Sequence, residues 1–260
     1  MIEARNLSCT FGRSIIGAQE FTAVSPISTS FKDSGRYAIV GESGSGKTTL
    51  ARMIAGLQIP SGGDVLIDGE PVYHRGKVKR NHFKEVQLIQ QNSASALDPK
   101  MTVGKSIEEP LYCFFRVNRS ERKSRCVKLM ELCNLPASYY ARLPSELSGG
   151  EQKRVAIARA LAVEPRCLIF DEATNGFDLL LRKKIIEEII ELQKKLHFTM
   201  IFITHDMELA TVVADEILVM QKSVLTEQVA FSGDLTVFAD EYSQILLEAS
   251  GLTQSISVSK

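Results

Sequence analysis

Leu147-Ser148-Gly149-Gly150-Glu151-Gln152-Lys153-Arg154, followed by Cys167-Leu168-Ile169-Phe170-Asp171-Glu172, decides the fold. In the first piece a Ser-Gly-Gly turn leads directly towards an amphipathic run, Val155 to Leu161. Ser148 is placed to cap the first turn, and the glycines let backbone N–H groups approach a ligand closely. A helix N-terminus with free N–H groups is an anion site. The second piece is four apolar residues ending in two adjacent carboxylates. The run reads as a parallel-sheet strand, apolar on both faces. An acid at the C-terminal end of such a strand lies where open α/β sheets bind ligands. Two carboxylates there would be costly to bury unpaired, which favours a site over scaffold.

Working outward, Gly41-Glu42-Ser43-Gly44-Ser45-Gly46-Lys47-Thr48-Thr49 satisfies G-x-x-x-x-G-K-[ST]. It lies between an apolar strand, Tyr37 to Val40, and a helical run, Thr48 to Ala55, the context that gives the motif its meaning. The glycines permit dihedrals and close approach that a side chain would forbid. Successive N–H groups then surround phosphates. Lys47 is expected on the β- and γ-phosphates and the Thr48 hydroxyl on Mg²⁺.

Together these stretches resemble the ATPase subunits of ABC transporters, over roughly residues 3–222. Leu147 to Gln152 matches the family signature. The resemblance implies an α/β fold: a P-loop NTPase core with mostly parallel strands, an antiparallel β portion near the N-terminus and an inserted α-helical subdomain. The whole chain, 1–260, is expected as one nucleotide-binding domain. Its RecA-like core would cover about 1–91 and 160–222, its helical subdomain about 92–159 and a C-terminal tail about 223–260.

The resemblance also implies roles. Asp171 helps hold Mg²⁺ through its water shell, and Glu172 polarises the water that attacks the γ-phosphate. Phosphoryl transfer needs charge neutralisation and positioning, so one aligned carboxylate is a sensible base. His205, one residue beyond the apolar strand Thr199 to Thr204, matches the family's switch histidine. Gln90 and Gln91 end the run Val86-Gln87-Leu88-Ile89 and resemble the family's Q-loop, whose glutamine contacts Mg²⁺ or the water. Counting back from Leu97-Asp98-Pro99, which resembles a Leu-Asn-Pro of peptide and nickel importers, favours Gln91. In the resemblance an aromatic residue stacks on adenine; Phe11 is the candidate, further upstream of the phosphate loop than in the shortest family members because Gly12 to Thr22 looks like an insertion, and Phe21 is the weaker competitor. Ser148, Gly149, Gly150 and Gln152 would meet the ATP held by a second subunit. Ala173-Thr174-Asn175-Gly176-Phe177-Asp178 departs from the common Pro-Thr-Ser-Ala-Leu-Asp of the loop that follows, keeping Asp178.

Composition narrows the partners. Lysine plus arginine equals aspartate plus glutamate at 31 each, so no net basic field draws the chain to nucleic acid or anionic lipid. No apolar run approaches the ~20 residues of a membrane helix. Met1 to Arg5 lacks the basic-then-apolar order of a signal peptide. The five cysteines show no paired short spacing and read as buried thiols in a reducing compartment. His74 and His82 read as surface histidines in a basic connection, residues 74–85. Helical runs are expected around Gly104 to Phe115 and Ser120 to Leu132. Leu111, Tyr112, Phe114 and Phe115 would serve either a transmembrane partner or the subdomain's own core.

The expected protein is peripheral, on the cytoplasmic face of the membrane. A second ATP-binding subunit (a heterodimer, with a homodimer as the alternative), two transmembrane permeases and, indirectly, an extracellular solute-binding protein complete it. Asp240 to Ala249 resembles the His-Pro-Tyr-Thr…Leu-Leu stretch of peptide and nickel importer ATPases, and the short C-terminus leans towards the nickel or metal-chelate branch over di- and oligopeptides. An exporter or lipoprotein-release ATPase is the runner-up. A soluble ABC ATPase is disfavoured, since no second cassette, long coiled coil or basic arm is present.

Overall fold

The computed structural model describes residues 1–12, 20–91 and 96–252. They gather into two compact units: Met1–Lys79 with Ile201–Lys260, and Arg80–Met200.

The first unit opens with β1 (Ile2–Phe11) and β2 (Phe21–Phe31), an antiparallel pair running from Ile2↔Phe31 to Phe11↔Phe21. The bridging β3 (Arg36–Val40) and α1 (Lys47–Ile54) come before β4 (Gly62–Ile67), which pairs with the other edge of β1. The short β5 (Glu70–Pro71) completes the order β2-β1-β4-β5. Pro26 lies inside β2. This is an edge strand, and its register with β1 shifts there, between Leu7↔Ile27 and Cys9↔Val24, so no regular ladder bond is lost. A small hairpin follows, β6 (Tyr73–His74) against β7 (Lys77–Val78). Tyr73 is anchored by its hydroxyl, which donates to the carbonyls of Met53 and, at 2.9 Å, Gln58.

The second unit begins with α2 (His82–Glu85) and β8 (Val86–Ile89). Helices α3 (Val103–Phe114), α4 (Arg119–Leu132) and α5 (Gly149–Leu161) come next, then β9 (Cys167–Asp171), α6 (Leu179–Leu196) and β10 (Thr199–Thr204), within which the division between units falls. Strands β8 and β9 are parallel, from Val86↔Cys167 to Ile89↔Phe170. β9 is buried along its whole length, as an apolar run without alternation requires. Helices α3, α4 and α5 pack on one another around Val103, Ile107, Leu111, Cys126, Met130 and Val155. Helix α4 starts one residue before the expected Ser120 because Asn118, not Ser120, caps it, accepting from Glu121 N at 2.9 Å. Arg154 of α5 forks onto Glu188 of α6 at 2.8 and 2.9 Å.

The chain then returns to the first unit with α7 (Met207–Val213), β11 (Glu216–Gln221), β12 (Val224–Ala230) and α8 (Glu241–Ala249). β11 lies parallel to β3, from Glu216↔Tyr37 to Val219↔Val40, and β12 is antiparallel to β11. The Arg36 guanidinium forks onto Asp215 and ties the start of β3 to the start of β11. Within residues 223–260 the chain thus forms a strand, Val224–Ala230, and a helix, Glu241–Ala249.

Three burial expectations divide. His74 is exposed with most of residues 74–81, but His82 is buried at the start of α2. Four cysteines are buried and Cys113, near the end of α3, is exposed. Burial pushes the Cys126 and Cys133 thiols up to about 12, keeping them protonated. Leu111 belongs to the helical core, whereas Tyr112 is exposed and Phe114 and Phe115 are half-buried under Arg80, Lys84 and Arg125. Among the described residues no helix is long and apolar enough to cross a membrane.

Candidate active site

In the first unit, β3 ends at Val40 and α1 begins at Lys47, so residues 41–46 must turn in a short space. Gly41, Gly44 and Gly46 all have positive φ, at 148°, 82° and 101°. At two of them the space is taken as well: a Cβ would fall 2.0 Å from the Met220 carbonyl oxygen at Gly41, and 2.3 Å from that of Ala23 at Gly46. Gly46 is the N-cap of α1 and offers no side-chain cap, so the positive end of the helix faces the turn, where an anion is favoured. The Lys47 ammonium folds back into this turn. It donates to Gly41 O at 2.7 Å, Glu42 O at 2.6 Å and Ser45 Oγ at 3.3 Å. A cation inside a ring of backbone groups is what a phosphate cradle requires. Glu42, Ser43 and Gly44 are exposed at the rim, while Thr48 and Thr49 stand half-buried on α1.

His205 is in the same unit, exposed immediately beyond β10. Its neighbour Asp206 caps α7, accepting from Leu209 N at 3.1 Å, and donates its own N–H to Thr204 Oγ1 at 3.0 Å. Both bonds fix the turn that presents the imidazole. Phe11 and Phe21 stand directly opposite each other at the end of the β1–β2 pair, 43% and 58% exposed. Directly paired residues share a sheet face, so one surface offers both rings. Of the expected insertion, residues 13–19 lie outside the described residues.

The second unit carries the acidic pair and the signature. Asp171 is the last residue of β9 and is buried. Glu172 follows with φ 48°, a left-handed conformation that turns it out of the strand direction. Asn175 holds it twice: its backbone N–H donates to Glu172 O at 3.1 Å and its amide Nδ2 to Glu172 Oε2 at 3.0 Å. Asp178 caps α6, accepting from Leu181 N at 3.0 Å, which explains why that residue stays when its neighbours depart from the common form.

Ser148 caps α5 in a reciprocal box. Its Oγ accepts from Glu151 N at 3.4 Å, and Glu151 Oε2 accepts from Ser148 N at 2.8 Å and Ser148 Oγ at 2.7 Å. These bonds, with one from Tyr139, hold the Glu151 carboxyl below its ordinary range. Gly149 is exposed at the turn; Gly150 is buried, with 3.3 Å between a notional Cβ and Leu181. Gln152 bonds the carbonyls of Pro144 and Leu147 at 2.8 and 3.2 Å. Gln91 is exposed just after β8, and Lys153 on the signature helix donates to the carbonyls of Gln90 at 3.0 Å and Gln91 at 3.4 Å. Residues 92–95 of the expected loop lie outside the described residues.

Each unit thus gathers its own set: the Gly-rich loop and His205 in one, the acidic pair, signature and paired glutamines in the other. Lys153, Asn175 and Glu151 are contributors that motif reading passed over. For Glu151 a signal existed, since Ser148-x-x-Glu151 is a capping box in sequence. The hydroxyl of Thr48, the carboxylate of Asp171 and the amide oxygen of Gln91 are hard oxygen donors, suited to Mg²⁺. Among the described residues no group of three or more His, Cys, Asp or Glu could hold a metal.

Residues 24–175 match the family model described as ABC transporter. The nickel import ATP-binding protein NikE of Shigella dysenteriae serotype 1 (strain Sd197) is 34% identical over 232 residues, covering 89% of this chain and 86% of that protein. NikE of Escherichia coli (strain K12) is 33% identical over the same shares. Among solved structures, the dimeric ATP-binding cassette MJ0796 bound to ADP and Pi superposes with a TM-score of 0.77 at 26% identity, over 90% of this chain and 100% of that one. CbiO1 from Clostridium perfringens, part of an ABC transporter complex, gives a TM-score of 0.77 at 23% identity, over 96% and 92%, and bears on the fold alone.

Proposed function

The chain belongs to the ABC transporter family, and on that premise we propose that it is the ATP-hydrolysing subunit of an importer for nickel or a nickel chelate. It is an ABC ATPase with the α/β cassette fold of that family. The observation that carries the cargo is the 33–34% identity, over 89% of the chain, to proteins named for nickel import.

In this reading the N–H groups of residues 43–48 receive the phosphates of ATP, and Lys47 leaves its carbonyl partners for the β- and γ-phosphates. Thr48, Asp171 and Gln91 would hold Mg²⁺. When bound, that ion supplies charge neutralisation on the phosphates. Glu172 accepts a proton from a water whose oxygen attacks the γ-phosphorus; the bond to the β–γ bridging oxygen breaks, giving ADP and phosphate. Asn175 orients the Glu172 carboxylate for this, and His205 contacts the γ-phosphate. Phe11, or Phe21 opposite it, stacks on the adenine. Ser148, Gly149, Gly150 and Gln152 serve the ATP of a second ATP-binding subunit, so two chains complete each site. The pair sits on the cytoplasmic face of a membrane under two permeases, fed by an extracellular solute-binding protein.

Uptake by cells carrying Glu172→Gln at the native locus tests the proposal. Cell-associated nickel should fall several-fold with labelled short-peptide uptake unchanged. Loss of peptide uptake alone would move the chain to peptide import, and wild-type ATP turnover by the purified Glu172→Gln complex would remove Glu172 as the base.

A further inference from the structure

The peptide group between Gly41 and Glu42 is held at both ends. Lys47 takes its carbonyl, donating to Gly41 O at 2.7 Å. The Glu42 N–H donates to the hydroxyl of Tyr242 at 3.0 Å, from a residue 200 positions further along the chain. Tyr242 is buried in the first turn of α8.

That helix is itself fixed. Asp240 caps it, accepting from Tyr242 N at 3.0 Å and Ser243 N at 3.4 Å. Ahead of the cap, the N–H groups of Ala239 and Asp240 donate to Glu227 Oε1 at 2.7 and 3.1 Å. Glu227 stands on β12, whose partner β11 brings the Met220 carbonyl against Gly41. Ser223, between β11 and β12, donates its N–H to Ser45 O at 3.2 Å. Tyr242 and Ser223, both beyond the last parallel strand, therefore grip the Gly-rich loop at its second and fifth positions, Glu42 and Ser45.

We propose that Tyr242 is a positioning residue for nucleotide binding, its hydroxyl setting the Gly41–Glu42 peptide so that the N–H groups behind it face the phosphates. The inference rests on reading residues 41–49 as the phosphate loop. When Lys47 swings to the phosphates it releases the Gly41 carbonyl, and Tyr242 keeps hold of the same peptide. A loop held in its binding shape loses less freedom on binding, which appears as affinity. Without the hydroxyl, the Glu42 N–H gives up its acceptor and the loop its restraint.

The test is ATP affinity of the full-length chain, measured by calorimetry. Tyr242→Phe should raise Kd roughly three- to tenfold, the effect of one hydrogen bond. Ile245→Ala, on the exposed side of the same helix, should leave Kd unchanged. Glu42→Pro deletes the donor itself, so adding Tyr242→Phe to it should change Kd no further; a purely structural tyrosine would still lower affinity in that background. Equal Kd for wild type and Tyr242→Phe, or the same fold-change with and without the Glu42 N–H, overturns the tether while the ATPase reading stands. Failure of the wild-type chain to bind ATP overturns both.

Discussion

Lys153 carries its ammonium into a place where the residue is 1% exposed, with the carbonyls of Gln90 and Gln91 as acceptors. Burial disfavours the charged form and brings its pKa from 10.5 down to about 8. Below about pH 8 the group is charged in both folded and unfolded chains, and the folded chain bears the cost of burying it. Between about 8 and 10.5 the folded chain has shed the proton and the unfolded chain has kept it, so stability rises with pH. The slope from this group approaches about 1.4 kcal/mol per pH unit. Urea unfolding at pH 7.5, 9 and 10 should therefore show wild type gaining on Lys153→Met, and a constant difference between them would remove the assignment. The sequence carries no sign of this. Lys153 looks like a surface residue in a basic pair with Arg154, and only the arrival of the Gln90–Gln91 backbone beside α5 buries it. Asn175 was visible as a departure from the common loop, but its bond to Glu172 depends on the left-handed turn at Glu172, which no local rule predicts for a glutamate.

The cap of α5 is a property of the helix rather than of any one contact, because Ser148 and Glu151 satisfy each other across its first turn. Ser148→Ala should cost about 1 kcal/mol of stability, read from urea unfolding, and a change below ~0.2 kcal/mol would show the box to be dispensable. Elements like this one were legible. β3 and β9 announced themselves by short apolar runs suited to a sheet covered on both faces. β12 was not, since Val224-Leu225-Thr226-Glu227-Gln228-Val229-Ala230 is largely solvent-facing and shows no alternation to read. α7, with seven residues, is too short for a periodic pattern to stand out. Its start rests on the Asp206 cap, one residue beyond His205.

In the proposed dimer each ATP needs the Gly-rich loop of one subunit and the Ser148 turn of another, so turnover belongs to the pair. The purified chain alone should hydrolyse ATP slowly, with activity per chain rising at least severalfold once the second ATP-binding subunit is added; an unchanged rate would mean that one chain suffices. The loop itself belongs to a unit whose two segments are separated by residues 80–200. Arg36 and Asp215 are 179 positions apart, and Glu42 and Tyr242 are 200 apart. On the ribosome the Gly-rich segment emerges well before its supports. At roughly 5–20 residues per second, about ten to forty seconds pass between the synthesis of Glu42 and that of Tyr242. A nascent chain stalled before Ile201 would hold the whole phosphate-binding sequence and none of the strands and helices that fold back to shape it.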